Sequence, residues 1–265
     1  MNDKEFVDNF KFKKKFGQNF LKDENILNNI VNSADIDSNT LVIEIGCGAG
    51  ALTKKIISKT KKYIGYEIDT TLKPILDTFN TNIIFDDFLK RNIKDDIKNF
   101  EYDKIYVIAN LPYYITTPII TKIIEADINV DKVVVMVQKE VGDRFSAKPG
   151  TKDYNSLSIF INYYFTPKKL FLVSKNVFIP KPNVDSIVIS LTKKDKLDVF
   201  NEKLFFKLVR DSFKQKRKTL KNNLKDYNFD IIKEILEKNN YKEDVRAEAL
   251  PIEIFVEMSN ALSKE

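Results

Sequence analysis

Short apolar runs rich in β-branched residues recur along the first half of the chain, separated by segments of helix length. The runs span residues 41–45, 63–66, 82–85, 105–109 and 133–137. Because apolar residues fill most positions of each run without alternating with polar ones, each run is typical of a strand covered on both faces, as in a parallel sheet flanked by helices. The alternation therefore predicts an α/β domain built from βαβ units.

Two further runs, at residues 171–178 and 186–191, are joined by the segment Pro180-Lys181-Pro182-Asn183. Prolines and asparagine favour a turn, so the two runs are expected to be neighbouring strands. We expect this pair to close the mostly parallel sheet as an antiparallel hairpin at one edge.

The pattern changes to helical spacing from about residue 195. Apolar or small residues recur three and four positions apart, which predicts amphipathic helices. These residues are Phe205, Leu208, Val209, Ser212, Phe213, Leu220, Leu224, Ile231, Ile232, Ile235 and Leu236. The polar stretch 192–199 marks the boundary, so we predict a catalytic domain at 1–194 and a small all-α domain at 195–265.

Composition narrows the chemistry. The chain of 265 residues has no histidine, which removes Ser-His and Cys-His nucleophile systems and the commonest general base. Its single cysteine, Cys47, excludes an internal disulfide, and we expect no metal site. We see no secretory signal and no apolar run long enough to cross a bilayer, so we expect a cytoplasmic protein with no membrane role.

The formal charge of +6 matters only where it is clustered. One cluster is the run Lys-Phe-Lys-Lys-Lys-Phe at residues 11–16, and the other lies at residues 214–221. Most charge runs are solvated surface. The alternative is a phosphate-binding strip, because cationic side chains displace the counterions held by RNA.

The segment Glu44-Ile45-Gly46-Cys47-Gly48-Ala49-Gly50 follows the first predicted strand and precedes a predicted helix that begins near Ala51. Glycines in this position let the backbone approach a ligand at the helix N-terminus. The spacing also satisfies the relaxed G-x-G-x-x-A of dinucleotide-binding proteins, so a nicotinamide dehydrogenase and a purely structural turn remain alternatives.

Acidic residues follow the next two strands. Glu67 ends the second strand at the distance where an acid binds ribose hydroxyls, and it is a better candidate than Asp69. After the third strand, one acid of Asp86-Asp87 could accept from an adenine amino group while Phe88 covers the ring. Of this pair we choose Asp87; the alternative is a solvated acid at a strand end.

The segment Asn110-Leu111-Pro112-Tyr113 follows the fourth strand. Asn and Pro are common turn residues, so the tetrapeptide alone could simply end a strand. However, an Asn oxygen beside a carbonyl in a rigid turn can accept both hydrogens of a planar amino group, and an aromatic ring offers a face to a purine. This combination suits methylation of an adenine amine.

Longer motifs carry a family resemblance over nearly the whole chain. They include the glycine loop, the Asn110 segment and these stretches: 15–21 (KFGQNFL), 117–119 (TPI), 138–141 (QKEV), 148–154 (KPGTKDY), 178–186 (FIPKPNVDS) and 213–220 (FKQKRKTL). With these motifs the chain resembles the KsgA-type ribosomal RNA small-subunit adenine dimethyltransferases, which are Rossmann-like methyltransferases dependent on S-adenosylmethionine.

The resemblance implies S-adenosylmethionine as cofactor and assigns roles to residues of this chain. Residues implied at the cofactor are Gln18, Asn19, Leu21, Gly46 and Gly48, with Glu67 on the ribose, Asp87 at the adenine and Asn110 near the donor methyl. Asn110 and Leu111 would hold the target amine, and Phe178 would sandwich the target adenine against Tyr113. Periodicity alone allows core packing for Phe178 equally well.

The resemblance also implies a partner, the RNA of the small ribosomal subunit, with two adjacent adenines in its 3′-terminal hairpin each dimethylated. We place phosphate contacts on a basic helix carrying Lys214, Lys216, Arg217 and Lys218, together with Arg144 and Lys148 near the active site. We expect the protein to act as a monomer.

Four alternative functions remain, and the weakest is a nicotinamide dehydrogenase, which would leave the Asn110-Leu111-Pro112-Tyr113 segment unexplained. A large-subunit RNA adenine methyltransferase of the antibiotic-resistance type shares the chemistry, but Leu111 and the outer motifs favour the small-subunit enzyme. A DNA amino-methyltransferase lacks support from those motifs. A non-catalytic ribosome assembly factor is disfavoured by the intact Gly46, Glu67, Asn110 and Tyr113.

Overall fold

The computed structural model describes Phe10, Phe12, Lys13 and residues 16–264, apart from the side chain of Tyr113. The chain divides into two compact units. The first runs up to Gly142 and includes Lys168–Lys193, and the second comprises Asp143–Pro167 and the chain from Lys194 onward. Residues 143–167, which the sequence analysis included in the catalytic domain, thus lie in the second unit.

The described residues form nine strands: β1 Phe20–Leu21, β2 Thr40–Ile45, β3 Tyr63–Tyr66, β4 Ile83–Ile84, β5 Lys104–Asn110, β6 Val130–Gln138, β7 Phe165–Val173, β8 Phe178–Ile179 and β9 Ser186–Lys193. They also form eleven α-helices: α1 Glu24–Ala34, α2 Ala51–Ile57, α3 Lys73–Leu76, α4 Ile93–Ile97, α5 Thr116–Glu125, α6 Lys139–Phe145, α7 Ser156–Tyr164, α8 Glu202–Ser212, α9 Leu220–Asn223, α10 Phe229–Lys238 and α11 Ile252–Leu262. None of these helices could span a membrane.

Seven strands form one sheet in the order β4-β3-β2-β5-β6-β9-β7. Strands β2 to β6 run parallel, which confirms the predicted βαβ alternation. All six residues of β2 are buried, as are Ile105 to Ala109 of β5. Consecutive burial of this kind requires cover on both faces, and it explains why these strands were visible in the sequence.

The strand order reverses between β2 and β5. From β2 the chain adds β3 and β4 on one side, whereas β5 and β6 extend the sheet on the other. In open α/β sheets, ligands bind at such a switch point, outside the carboxyl ends of the strands. Here those ends are Ile45 and Asn110, so the glycine loop and the Asn110 segment leave the sheet side by side.

The far edge of the sheet is formed by β9, which runs antiparallel to β6, and by β7 outside it. The predicted run 171–178 was wrong in its bounds. Strand β7 begins at Phe165 and ends at Val173, and it carries Pro167, as an edge strand can. The first half of β7 contains the exposed polar residues Thr166, Lys168 and Lys169, so only its last four residues, 170–173, form an apolar run. Phe178 belongs to β8, which pairs with β1 in a separate two-stranded sheet.

The second unit is helical around its own core. Helix α7 packs on α8 and α11, and the rings of Tyr163 and Phe205 lie 5.3 Å apart between their centroids. Ile159 and Tyr163 of α7 are buried with Leu208 and Phe255. This packing explains why residues 143–167 join the C-terminal helices.

Candidate active site

A cavity opens at the carboxyl ends of β2, β3 and β5 in the first unit. Its walls include every residue that the sequence analysis assigned to the cofactor: Gln18, Asn19, Leu21, Gly46, Gly48, Glu67, Asp87 and Asn110. Leu111 also lines it. The structure therefore brings these residues together around one space, and their roles as ligands stay predictions.

The glycine loop adopts backbone angles that L-residues rarely take. Gly46, Gly48 and Gly50 have φ values of 78°, 56° and 83°. At Gly48 the neighbouring ring of Phe20 adds a second constraint, because a Cβ would lie 3.3 Å from its Cε1 atom. A side chain here would be strained and would crowd the wall of the cavity, so glycine lets the backbone N–H groups approach a ligand.

Glu67 is the acid at the centre of the cavity wall. Its Oε2 accepts from the Gly48 N–H at 2.8 Å, and its Oε1 accepts from the Asp69 N–H at 2.8 Å. The residue is 5% exposed, and burial raises its pKa above the usual range. Each oxygen has a second lone pair, so hydroxyl donors from a ligand can complete its hydrogen bonding and favour the charged form.

Glu44, near the end of β2, is a cavity residue that the sequence analysis missed. Its Oε2 accepts from the Thr53 hydroxyl at 2.7 Å and from the Tyr63 hydroxyl at 2.5 Å, whereas its buried Oε1 has no hydrogen-bond partner. Burial raises the pKa of Glu44 to about 7. An unpaired buried acceptor is costly, so Oε1 marks a place where a ligand or a water molecule donates.

Asp69 accepts hydrogen bonds that hold Lys13 and Gln18 of the N-terminal segment in place beside the cavity. It accepts from Lys13 Nζ at 2.6 Å, from Gln18 Nε2 at 2.8 Å and from the Thr71 hydroxyl at 2.7 Å. Burial alone would raise its pKa, but the hydrogen bonds from Lys13, Thr71 and Gln18 lower it to about 2. Its oxygens are therefore engaged within the protein, whereas those of Glu67 lie on the cavity wall.

The Asn110 corner is fixed by backbone and side-chain contacts. Asn110 Nδ2 donates to the carbonyl of Asn19 at 3.2 Å, and the Leu111 N–H donates to the carbonyl of Met136 at 3.2 Å. The Pro112 carbonyl accepts from the Ile115 N–H and from the Thr116 hydroxyl. The amide nitrogen of Asn110 only donates, so Oδ1 is the side-chain atom that can accept a hydrogen bond from a substrate.

Asp86, Asp87 and Phe88 line the cavity beyond β4. Asp87 Oδ1 accepts from the Leu89 N–H at 3.1 Å and starts a short 3-10 helix, Phe88–Lys90. The Oδ2 atom of Asp86 lies 3.3 Å from the Nη1 atom of Arg91. The Phe88 ring is buried edge-on against Tyr66, with 5.1 Å between centroids. The choice of Asp87 over Asp86 stays a prediction.

The predicted sandwich of the target adenine between Tyr113 and Phe178 stays a prediction. The side chain of Tyr113 lies outside them. Phe178 is 3% exposed and packs in the core of the first unit with Leu21 and Leu27, and it is absent from the residues that line the cavity. Phe178 thus packs in the core without bound RNA, and its contact with the target adenine stays a prediction.

Other cavity residues missed from the sequence are Phe16, Phe20 and Tyr114. Phe20 stacks on Phe10, with 5.6 Å between centroids, and meets Phe12 edge-on at 5.1 Å. Phe12 and Phe16 belong to the lysine run, and Phe10 and Phe20 flank it. This spacing of aromatic residues was the signal in the sequence for a segment that packs on the domain. Lys11, Lys14 and Lys15 of that run lie outside the described residues.

The candidate RNA-binding residues all belong to the second unit. Their side chains are exposed: Arg144, Lys148, Lys214, Lys216, Arg217 and Lys218. The predicted basic helix was wrong, because α8 ends at Ser212 and residues 213–219 form turns before α9. Residues 214–219 include no apolar side chain that could pack a helix against the core. Lys216 Nζ instead donates to the Lys152 carbonyl at 2.9 Å.

Solved structures with the same architecture define the fold class. A dimethyladenosine transferase from Plasmodium falciparum superposes with a TM-score of 0.74 at 27% identity, covering 90% of this chain and 95% of that one. The 23S rRNA methyltransferase ErmE gives 0.71 at 19% identity over 92% and 99%, a likeness of fold alone. The first unit is therefore a Rossmann-like methyltransferase domain.

Sequence comparison narrows this class to one family. The profile of the family described as Ribosomal RNA adenine dimethylase matches residues 9–264. A curated relative from Staphylococcus aureus strain JH9, named Ribosomal RNA small subunit methyltransferase A, is 46% identical over 264 residues, which cover 94% of this chain and 89% of the relative. The chain belongs to the ribosomal RNA adenine dimethylase family.

Proposed function

We propose that this protein transfers methyl groups to the N6 amines of two adjacent adenines in the 3′-terminal hairpin of small-subunit ribosomal RNA, forming N6,N6-dimethyladenosine during subunit biogenesis. The observation that carries the proposal is the Asn110-Leu111 corner, whose acceptor groups lie on the same cavity as the glycine loop and Glu67. Membership of the adenine dimethylase family and the name of the S. aureus relative support the substrate class.

A methyltransferase family implies a donor of the S-adenosylmethionine type, and the cavity fits that group. Gly46 and Gly48 would allow close approach at the methionine end, Glu67 would offer lone pairs to the ribose hydroxyls, and Asp87 would accept from the adenine amine. The unpartnered Oε1 of Glu44 could accept from the ammonium group or from a water bound to it. Gln18, Asn19 and Leu21 close the cavity from the N-terminal segment.

The chain's own groups prepare the adenine for attack. An exocyclic amine is a poor nucleophile because its lone pair is delocalised into the ring. Asn110 Oδ1 and the Leu111 carbonyl accept its two hydrogens and favour a pyramidal nitrogen whose lone pair is less conjugated with the ring and is directed at the methyl group. Bound S-adenosylmethionine supplies a methyl group already activated on a positively charged sulfur.

No strong base is needed, which agrees with the absence of histidine. Once the new N–C bond has formed, the nitrogen is positively charged and acidic, and its proton passes to water. Much of the rate therefore comes from positioning, which can contribute several kcal/mol when reactants are aligned. For the second transfer the amine retains one hydrogen, and one of the two acceptors suffices to hold it.

Substrate RNA is bound through the second unit. The six exposed cations Arg144, Lys148, Lys214, Lys216, Arg217 and Lys218 belong to this unit and can contact phosphates. We assign the catalytic role to the sheet-containing unit and the RNA-binding role to this helical one, and we propose that the protein acts as a monomer in the cytoplasm.

The decisive experiment offers purified protein and methyl-labelled S-adenosylmethionine to unmodified small and large ribosomal subunits in separate reactions. Mass spectrometry of RNA digests then maps the labelled bases. We expect dimethyladenosine at adjacent positions of small-subunit RNA, and strongly reduced label with the Asn110→Ala protein. Label confined to the large subunit would overturn the substrate assignment.

A further inference from the structure

Tyr114 is an exposed aromatic ring on the rim of the cavity. Five large apolar residues are exposed in the described part of the chain, and two of them, Ile68 and Tyr114, line this cavity. Tyr114 is 60% exposed, whereas aromatic rings deeper in the wall, such as Phe88, are buried. An aromatic side chain exposed to this extent on the cavity lining is within reach of a nucleic-acid base that enters the cavity.

The ring is held close to the segment that contacts Asn110. A Cβ on Gly17 would lie 3.0 Å from Tyr114 Cε1 and 3.3 Å from its Cδ1, and Gly17 has a φ of +60°. The Gly17 carbonyl accepts from Asn19 Nδ2, and the Asn19 carbonyl accepts from Asn110 Nδ2. One edge of the ring therefore rests on a backbone that is tied to the proposed reaction centre.

Entry of a target adenine into the cavity disrupts base stacking in the RNA strand. When a base leaves the stack, its neighbour in the strand loses a stacking partner, and the cost is a few kcal/mol unless another flat group replaces it. Aromatic side chains do this in proteins that bind single strands, whatever the base, because every base has a π face.

We propose that Tyr114 stacks on the nucleotide adjacent to the target adenine and so positions the RNA strand at the cavity. This inference rests on the proposed function, since it requires an RNA base as the substrate. It assigns to Tyr114 a substrate-positioning role that is separate from the acceptor groups of Asn110 and Leu111 and from the cofactor contacts of Glu67.

The test compares Tyr114→Phe, Tyr114→Leu and Tyr114→Ala, with Phe200→Leu as the matched control because Phe200 is also 60% exposed but belongs to the second unit. Initial rates are measured on unmodified small subunits, and S-adenosylmethionine binding is measured by calorimetry. We expect Leu and Ala to lower kcat/KM about tenfold, mainly through KM, with cofactor Kd unchanged. The Phe variant should retain the wild-type value, as should the control.

A direct readout uses an RNA hairpin with 2-aminopurine beside the mapped target adenine. Stacking on Tyr114 should quench its fluorescence with wild type and Tyr114→Phe and leave it bright with Tyr114→Leu. Wild-type kcat/KM in Tyr114→Leu, equal losses in Phe and Leu variants, or a weakened cofactor Kd would each refute the role of Tyr114. A wild-type protein inactive on both subunits would instead refute the proposed function.

Discussion

The side-chain amide of Asn110 donates a hydrogen bond to the backbone carbonyl of Asn19, with 3.2 Å between the heavy atoms. This contact joins the end of β5 to the N-terminal segment, and it leaves the amide oxygen as the acceptor on the cavity wall. The orientation of the proposed catalytic group thus depends on a residue 91 positions away in the sequence.

Asn110→Ala should fold with a near-normal melting temperature and lose turnover by on the order of 100-fold, because it removes an acceptor that positions the amine. Single-turnover rates on unmodified small subunits check this. Asn28→Ala, on the exposed face of α1, is the matched control and should be unaffected. Near-normal rates in the Asn110 variant would remove this residue from the mechanism.

Glu67→Gln should weaken S-adenosylmethionine binding about tenfold or more. The substitution removes the negative charge and places an NH2 group where the carboxylate accepts from two backbone N–H groups. Calorimetric titration gives the dissociation constant, and Asp77→Asn at an exposed acid serves as control. Equal affinities in wild type and Glu67→Gln would show that the acid is structural only.

Asp69→Asn should loosen the N-terminal segment. The folded-state pKa of Asp69 is lowered to about 2, so its stabilisation is complete above the unfolded value of 3.8 and is lost only as pH falls towards 2. At neutral pH the variant therefore loses the full ion pair with Lys13. Hydrogen exchange of residues 16–21 should accelerate, and cofactor affinity should fall. Unchanged exchange in this segment at pH 7 would contradict the role of the contact.

Glu44 predicts a pH dependence of opposite sign. Burial raises its folded-state pKa from 4.5 to about 7, so the folded state binds a proton more tightly than the unfolded state. The free energy of unfolding should then decrease as pH rises from about 4.5 to 7, by up to about 3 kcal/mol from this group.

Chemical denaturation from pH 5 to 8, without cofactor, measures this slope. Glu44→Gln should lack this component, and Glu101→Gln at an exposed acid should keep it. Parallel pH curves for wild type and Glu44→Gln would rule out the raised pKa.

Neutralising Lys216, Arg217 and Lys218 together to Gln should reduce RNA affinity and its salt dependence. Loss of three phosphate contacts lowers the slope of log K against log salt by about 2 to 3. Filter binding of small subunits at several salt concentrations measures both. The control neutralises Lys59, Lys61 and Lys98, which are exposed on the first unit. Equal slopes in the two variants would exclude a specific role for the 216–218 turn.

The sequence by itself determined the central sheet and the order of its functional residues. Strands such as β2 and β5 are covered on both faces, and this burial requires consecutive apolar residues that can be read directly. Glu67 directly follows β3 and Asn110 is the last residue of β5. Because parallel strands present their carboxyl ends at one edge of the sheet, the proximity of these two residues was predictable.

Only the tertiary structure decided the rest. The first half of the edge strand β7 and the turn at 213–219 lack an apolar run, since their polar side chains contact water. Several features of the site are relations between distant segments. They are the unpartnered oxygen of Glu44, the ion pair between Lys13 and Asp69, the burial of Phe178 and the exposure of Tyr114. Such relations depend on which surfaces pack together, and the local spacing of residues along the chain does not determine that packing.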